Sequence, residues 1–542
     1  MSWDSVSSRE FLGGPPSHQL SATHLLASPD GSRHPLDTPN IGSSDFRNRS
    51  CFGNSGGSSI WSCFVACHRG LRQSLARRKI SQGLKLYSEH REAAAVRVWR
   101  SALKNIRRRD DRFMLLGYLY RAHADWGKYR ESLEYAHRQL SISEELDSPW
   151  MRAEAYINLA TAHERMGALE RALSYARHAL YNDSERVEGA VQLTVARVYL
   201  EMGGYSRSLE GLHGALKLAQ ATRDHALELQ VYVGFSELFG RLQDVDKSAT
   251  YAAKAYDLSR SLQLGDLNSR DHRAALIQMA SALRKQGDLG DAQDYCSEAI
   301  RLSIVSGDQA TYTRALGVMG DIYRKKQDIG RAFRQYEQAM GASAAVGDRL
   351  AQMQAMDGAA RCLEALRLQN KICNCRPLEF NTRLLEVASS VGAKLLVRTV
   401  RTRLSQIYTS LGDSDKALEH ERAASELRID CPGCGEDMGL EPEPLEALPC
   451  AHILHARCAH DILRRRDKRR TRACPACNKN LGSRLQLCQD EIFSIGASPP
   501  VVMSPPLITS ANRSRLSLNA DTLSLRASSL TMNSDCQATS SV

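Results

Sequence analysis

A chain of 542 residues is too long for a single core, so two or more domains are expected. Alanine and leucine abound, 42% of residues are hydrophobic and only 6% aromatic, which suits a helical array better than a sheet protein; the net charge of +11 admits nucleic acid, anionic membrane or acidic protein surfaces without choosing among them. No apolar run reaches the roughly 18 residues of a membrane span and the polar N-terminus lacks a signal-peptide pattern, so the chain is expected to stay in the cytosol.

Residues 1–75 are rich in Ser, Gly and Pro without a period, as in Gly13-Gly14-Pro15-Pro16, and read as a disordered extension. Inside it, Ile60-Trp61-Ser62-Cys63-Phe64-Val65-Ala66-Cys67 precedes Arg69, Arg72, Arg77, Arg78 and Lys79. Acylation of Cys63 and Cys67 beside that basic flank would give a two-signal membrane anchor; the plainer reading is a sticky segment leading into the first helix.

From 79 to 428 one pattern recurs: a small residue, a small or aromatic residue four positions on, and a small residue three further. It appears as Ala95-Trp99-Ala102, Ala172-Ala176-Ala179, Ser208-Leu212-Ala215, Ser248-Ala252-Ala255, Ala292-Cys296-Ala299 and Ala332-Tyr336-Ala339, with a weaker copy at Ser132-Ala136-Gln139. A partner helix places its own small residue twelve positions earlier, at Gly83, Ala160, Ala196, Ser236, Ala280 and Gly320, and turns such as Gly127-Lys128-Tyr129 and Gly203-Gly204-Tyr205 separate the two. In the stretch from Met319 to Ala339 the small residues let two backbones approach while Tyr323 and Tyr336 fill the remaining space, with the corner at Gln327-Asp328-Ile329. This is the packing of a tetratricopeptide hairpin, here repeating at roughly 40 residues rather than the common ~34. After 339 the pattern degrades: Cys373, Cys375 and Pro377 interrupt it, Leu384, Val387 and Val391 give an amphipathic stretch, and a last copy runs through Leu404, Tyr408, Gly412, Ala417 and Ala424. One hairpin cannot bury its own apolar face, so the copies are expected to stack on their neighbours into a rod whose concave surface holds peptides, helices or further copies. Cys296 and Cys362 read as small core hydrophobes, and Asn158 alone suggests a peptide-clamp position.

Of the fifteen cysteines, six cluster with two histidines near the C-terminus, which points to metal in a reducing compartment. Cys431-Pro432-Gly433-Cys434, Cys450-Ala451-His452, His455-Ala456-Arg457-Cys458 and Cys474-Pro475-Ala476-Cys477 offer eight ligands in four pairs, and Zn(2+) takes four such ligands tetrahedrally. Two ions would fill every position with protein, so both are read as structural. The order resembles a RING-H2 finger; that resemblance implies interleaving, with Cys431, Cys434, His455 and Cys458 on one zinc and Cys450, His452, Cys474 and Cys477 on the other. The finger is expected as a knob at the end of the rod. RING ligases carry an apolar residue before the second cysteine, often a Trp between the sixth and seventh ligands and an Arg after the eighth; here stand Gly433, no Trp between Cys458 and Cys474, and Asn478. The basic run Arg464 to Arg472 reads as a solvated loop or an acidic-partner site, and nucleic acid is not favoured because no aromatic residue interleaves with it. Beyond 480 the chain is again Ser-rich and read as disordered to Val542.

The expected architecture is thus an all-α tetratricopeptide solenoid followed by a small zinc-bound RING domain, with disordered N- and C-terminal segments: 1–75 extension, 79–365 array, 366–428 degenerate helical segment, 431–477 finger, 480–542 tail. Gly83-Leu84-Lys85-Leu86-Tyr87 before Val98-Trp99, Gly347-Asp348-Arg349-Leu350, Ala360-Arg361-Cys362, Cys434-Gly435-Glu436 and Ala447-Leu448-Pro449-Cys450-Ala451-His452-Ile453 make the chain resemble the rapsyn family, the receptor-associated proteins of the synapse, over about 79–478. The resemblance implies a cytoplasmic, non-enzymatic scaffold under the postsynaptic membrane.

 The repeats from 79 to 365 would serve self-association, and the helices of 366–428 would contact the cytoplasmic loops of nicotinic acetylcholine receptors. Dystroglycan and the actin/spectrin cytoskeleton would be further partners, with peripheral membrane contact. The rival reading is a RING-type E3 ubiquitin or ubiquitin-like ligase whose repeats select the substrate. Family members start with a myristoylated glycine just before the first repeat, whereas this chain starts Met1-Ser2, so Cys63 and Cys67 would replace that anchor or the start is an alternative one.

Overall fold

A computed structural model of the chain describes residues 59–89, 91–261, 270–438, 443–464 and 473–481. The expected disorder of 1–58 and of 482–542, and most of the basic run after Arg464, lie outside the described residues. The chain divides into two units between Asp490 and Glu491, and every described residue belongs to the first.

Among the described residues eighteen helices stack as nine antiparallel pairs. The first five pairs are α1 (Ser59–Ser88) with α2 (Glu92–Leu103), α3 (Arg109–Asp125) with α4 (Tyr129–Glu145), α5 (Pro149–Arg165) with α6 (Leu169–Asn182), α7 (Ser184–Met202) with α8 (Tyr205–Thr222), and α9 (His225–Arg241) with α10 (Val245–Ser261). The remaining four are α11 (Arg270–Gln286) with α12 (Leu289–Ser306), α13 (Gln309–Lys325) with α14 (Ile329–Val346), α15 (Arg349–Leu368) with α16 (Cys375–Val391), and α17 (Lys394–Leu411) with α18 (Ser414–Ser425). α1 therefore begins at Ser59, inside the stretch expected to be disordered up to 75. Its Ala76, Ile80 and Gly83 face α2.

The small-residue pattern works as steric permission. A methyl group on Gly83 would stand 2.1 Å from Trp99 Nε1, and one on Gly320 would stand 2.7 Å from the Tyr336 ring. Gly358 of the next pair presses on the other side of that ring, where an added methyl group would be 2.2 Å away, so Tyr336 locks two pairs together. The copy at Ser132, Ala136 and Gln139 is fully buried like the others, because Gln139 Nε2 donates to Phe113 O at 3.3 Å and Gln139 Oε1 accepts from Asn158 Nδ2 at 3.0 Å. Asn158 is thus spent inside the array and not offered to a peptide. Cys296 and Cys362 are core residues as expected, their thiols pushed up by burial to about 12 and about 11.

The segment after 339 forms two further regular pairs, which corrects the expected interruption. Pro377 falls in the first turn of α16, where a missing N–H costs nothing, so Cys375 and Pro377 start a helix.

The pairs touch more than their neighbours. The turns of the second, third and fourth pairs meet the pairs five further on: Gly127 lies against Ala310, Gly167 against Arg349 and Val391, and Gly203 against Leu395. Asp125 also binds Arg270 Nη1 at 2.6 Å, and Gln354 Nε2 donates to Glu201 at 3.3 Å. The array is a superhelix that closes onto itself after five pairs. The expected rod with contacts between neighbours alone is replaced by this closure, because the small rotation at each pair accumulates.

Candidate metal centre

The C-terminal domain is built on a short hairpin, β1 (Leu445–Ala447) and β2 (Ile453–His455), followed by α19 (Ala456–Arg464). Two knuckles flank it. In the first, Cys431 N donates to Glu436 O and Gly435 N to Cys431 O, both at 2.8 Å; in the second, Cys474 N donates to Lys479 O at 2.9 Å and Asn478 N to Cys474 O at 2.8 Å. Gly435 and Asn478 hold positive φ of 73° and 57°, the left-handed backbone that glycine and asparagine tolerate best. The geometry gives Asn478 a reason of its own in the place where ligases often carry an arginine.

The domain gathers its eight donors into two groups. Cys431, Cys434, His455 and Cys458 have ligand atoms within 4.8 Å of one another, and so do Cys450, His452, Cys474 and Cys477. The interleaved pairing implied by the resemblance is the pairing that the fold brings together, because β2 carries His455 back toward the first knuckle while the β1–β2 turn carries Cys450 and His452 toward the second. His455 Nδ1 stands 3.3 Å from Cys434 Sγ, and its Nε2 faces Asp437 O at 3.1 Å and Glu443 Oε2 at 3.3 Å. A ring nitrogen held from behind by a carbonyl and a carboxylate leaves the other free to ligate. His452 Nδ1 is buried without a hydrogen-bond partner, an orphan that a metal ion would account for. Thiol, thiol, imidazole and thiol in each group fit a tetrahedral divalent metal.

The domain is not a knob at the end of a rod. Leu445 N donates to Leu242 O at 2.9 Å, and Leu445, Ala451 and Ile453 join one core cluster with Leu200, Phe235, Leu238 and Leu242. Arg398 of α17, 2% exposed, donates to Asp437 Oδ1 at 2.6 Å and to Met438 O at 3.1 Å, and Lys247 Nζ lies 3.0 Å from Glu446 Oε1. The turn after α9 therefore meets the metal domain where, by the five-pair rule, a tenth pair would sit. Sequence reasoning missed Arg398 and Leu242, since neither has a motif of its own.

Residue 433 has little room for the apolar side chain of a ligase: a methyl group on Gly433 would stand 3.0 Å from both Leu454 Cδ2 and Cys458 Cβ. Cys63 and Cys67 fall in the first part of α1, outside the residues whose side chains are described. No helix among the described residues is long and apolar enough to cross a membrane.

The family model described as the rapsyn N-terminal myristoylation and linker region matches residues 71–150, and tetratricopeptide-repeat models match 153–186 and 271–345. The 43 kDa receptor-associated protein of the synapse from Tetronarce californica is 26% identical over 416 residues, which cover 75% of this chain and 98% of that protein. The chain is similar to rapsyn along nearly the whole length of that protein. The Gallus gallus protein of the same name is 29% identical with the same coverage. Among solved structures, a Rap protein complexed with competence and sporulation factor covers 65% of this chain and 97% of its own at 14% identity and a TM-score of 0.46. Aspartyl phosphate phosphatase F from Bacillus subtilis gives a TM-score of 0.36 at 15% identity, covering 69% of this chain and 96% of its own.

Proposed function

We propose that the chain is a scaffold at the cytoplasmic face of the postsynaptic membrane that self-associates and clusters nicotinic acetylcholine receptors, linking them to dystroglycan and the actin/spectrin cytoskeleton. The observation that carries this reading is the match to 98% of the length of proteins named as receptor-associated proteins of the synapse. In this reading the repeats of 79–365 hold copies of the chain together, the helices of 366–428 engage the receptor, and two structural zinc ions hold 431–477 in its docked form. Multivalency then does the work, because each added contact raises the local concentration of the receptor held by the others. Co-expression with a nicotinic receptor in a non-muscle cell tests it: receptors gathered into patches with the chain are expected, and receptors left diffuse sink the proposal. Zinc is tested separately by elemental analysis of the purified chain, with two ions per chain expected.

The ligase reading stays second on one observation: Pro432, Pro475 and Ala476 at the knuckle tips are exposed, which leaves a conjugating enzyme a surface to approach. Discharge of a charged conjugating enzyme that a Pro432→Arg variant abolishes, with the fold intact, would bring it forward.

A further inference from the structure

The small residues that set the register of the array also mark a row of side chains on the helices that open each pair. Four positions beyond Ala160, Ala196 and Ser236 stand Glu164, Leu200 and Gly240, but four beyond Ala280 and Gly320 stand Arg284 and Arg324. Arg284 Nη2 lies 3.6 Å from Asp321 Oδ2 and Arg324 Nη2 lies 3.6 Å from Asp321 Oδ1, while Tyr336 Oη donates to Asp321 Oδ1 at 2.6 Å. In the next pair Arg361 Nε lies 2.9 Å from Asp357 Oδ2, and Arg403 Nη2 donates to Asp357 Oδ1. The Tyr336 ring, held between Gly320 and Gly358, joins the two halves of the row.

Four guanidinium groups therefore share two carboxylates among the described residues, which leaves the row with a surplus of two positive charges. Glu364, one turn beyond Arg361, does not offset it, because Arg367 holds that carboxylate at 2.8 and 2.6 Å. Burial pushes the Asp321 carboxyl up, yet Arg284, Arg324 and Arg361 hold it below its ordinary range. Two donors are also left over: Nε of Arg284 and Nε of Arg324 are enclosed and meet no acceptor. The two side chains are 15% and 30% exposed, so their charge is only partly screened while a small group can still reach it.

We propose that Arg284 and Arg324, with Arg361 beside them, bind a phosphate dianion, either free or as the monoester on a phosphorylated side chain. Its two negative charges match the surplus of two. A planar guanidinium presents parallel N–H donors to phosphate oxygens, and Nε is the donor that Arg284 and Arg324 both have to spare. A single carboxylate would repeat what Asp321 already supplies and leave one charge over. The site lies within the repeats and depends neither on a receptor nor on the zinc ions.

The test titrates the full chain, in phosphate-free buffer, with inorganic phosphate and with a short Ala-Gly peptide bearing a single phosphoserine. Saturable binding is expected with at least one of the two probes, falling about tenfold or more in Arg284→Gln and in Arg324→Gln. The bound probe is expected to raise the melting temperature of the unaltered chain and to leave that of the doubly substituted chain where it was. Asp321→Asn removes the carboxylate that competes for the same guanidinium groups. It is expected to tighten phosphate binding even where it lowers the melting temperature, a gain that arginines with a structural role alone would not give, and it decides the matter if a glutamine variant fails to fold. Tighter binding of the peptide assigns the site to a phosphorylated side chain and tighter binding of inorganic phosphate to the free anion; either upholds it. No saturable binding of either probe overturns the proposal, as does binding that survives both glutamine substitutions or weakens in a folded Asp321→Asn chain. A peptide with glutamate in place of phosphoserine that binds as tightly also overturns it.

Discussion

Single atoms decide whether the helix pairs close. Trp99 is fully buried against Gly83 and donates from Nε1 to Ile80 O at 3.2 Å, so Gly83→Ala must move either the indole or the backbone. A loss of about 2 kcal/mol is expected from overpacking alone, read as a lower denaturation midpoint with unchanged slope. Burial also holds the His123 and His163 rings below their ordinary range. Their folded pKa lies below the unfolded value of about 6.5, so the unfolded chain binds protons first and stability falls as pH drops below that value. A lower melting temperature at pH 5.5 than at 7.5 is expected with metal held saturating. His163→Phe, which keeps the stack on Tyr175 at 5.3 Å, is expected to flatten that fall.

Helix starts carry the next level of organisation, and their caps differ in worth by what else they touch. Asp413 caps α18 in the open, accepting from Lys416 N at 3.1 Å. Asp308 caps α13 and is also the buried partner of Arg273 Nη2 at 2.9 Å, both side chains being almost wholly enclosed. Asp308→Ala is expected to cost about 3 kcal/mol because it removes the buried counter-charge of the Arg273 guanidinium, and Asp413→Ala, whose cap lies in solvent, distinctly less. Urea melts of the two variants give the comparison; equal losses would show that burial of the pair adds nothing.

At the scale of the whole array, closure after five pairs gives the metal domain its seat. Chelation is expected to remove amide-exchange protection from 431–481 and also from Leu238–Leu242 and Lys394–Val400, which lose the contacts of Leu445 and Asp437, while α13 and α14 keep theirs. Exchange confined to the metal domain would mean that the dock is too weak to stabilise its seat. Arg398 is then the group to watch, since its 2% exposure depends on Asp437 and Met438 staying in place.

Small residues at 320, 332 and 339 and the paired cysteines and histidines from 431 to 477 could be read in the chain because each expresses a local requirement: backbones that touch leave no room for a side chain, and a metal needs four donors on short knuckles. Only the tertiary structure revealed the closure of Gly127 on Ala310 and the seat of Leu445 on Leu242. Those contacts join residues far apart in the chain, and whether they meet depends on the sum of small rotations over five helix pairs, a quantity that no single motif encodes.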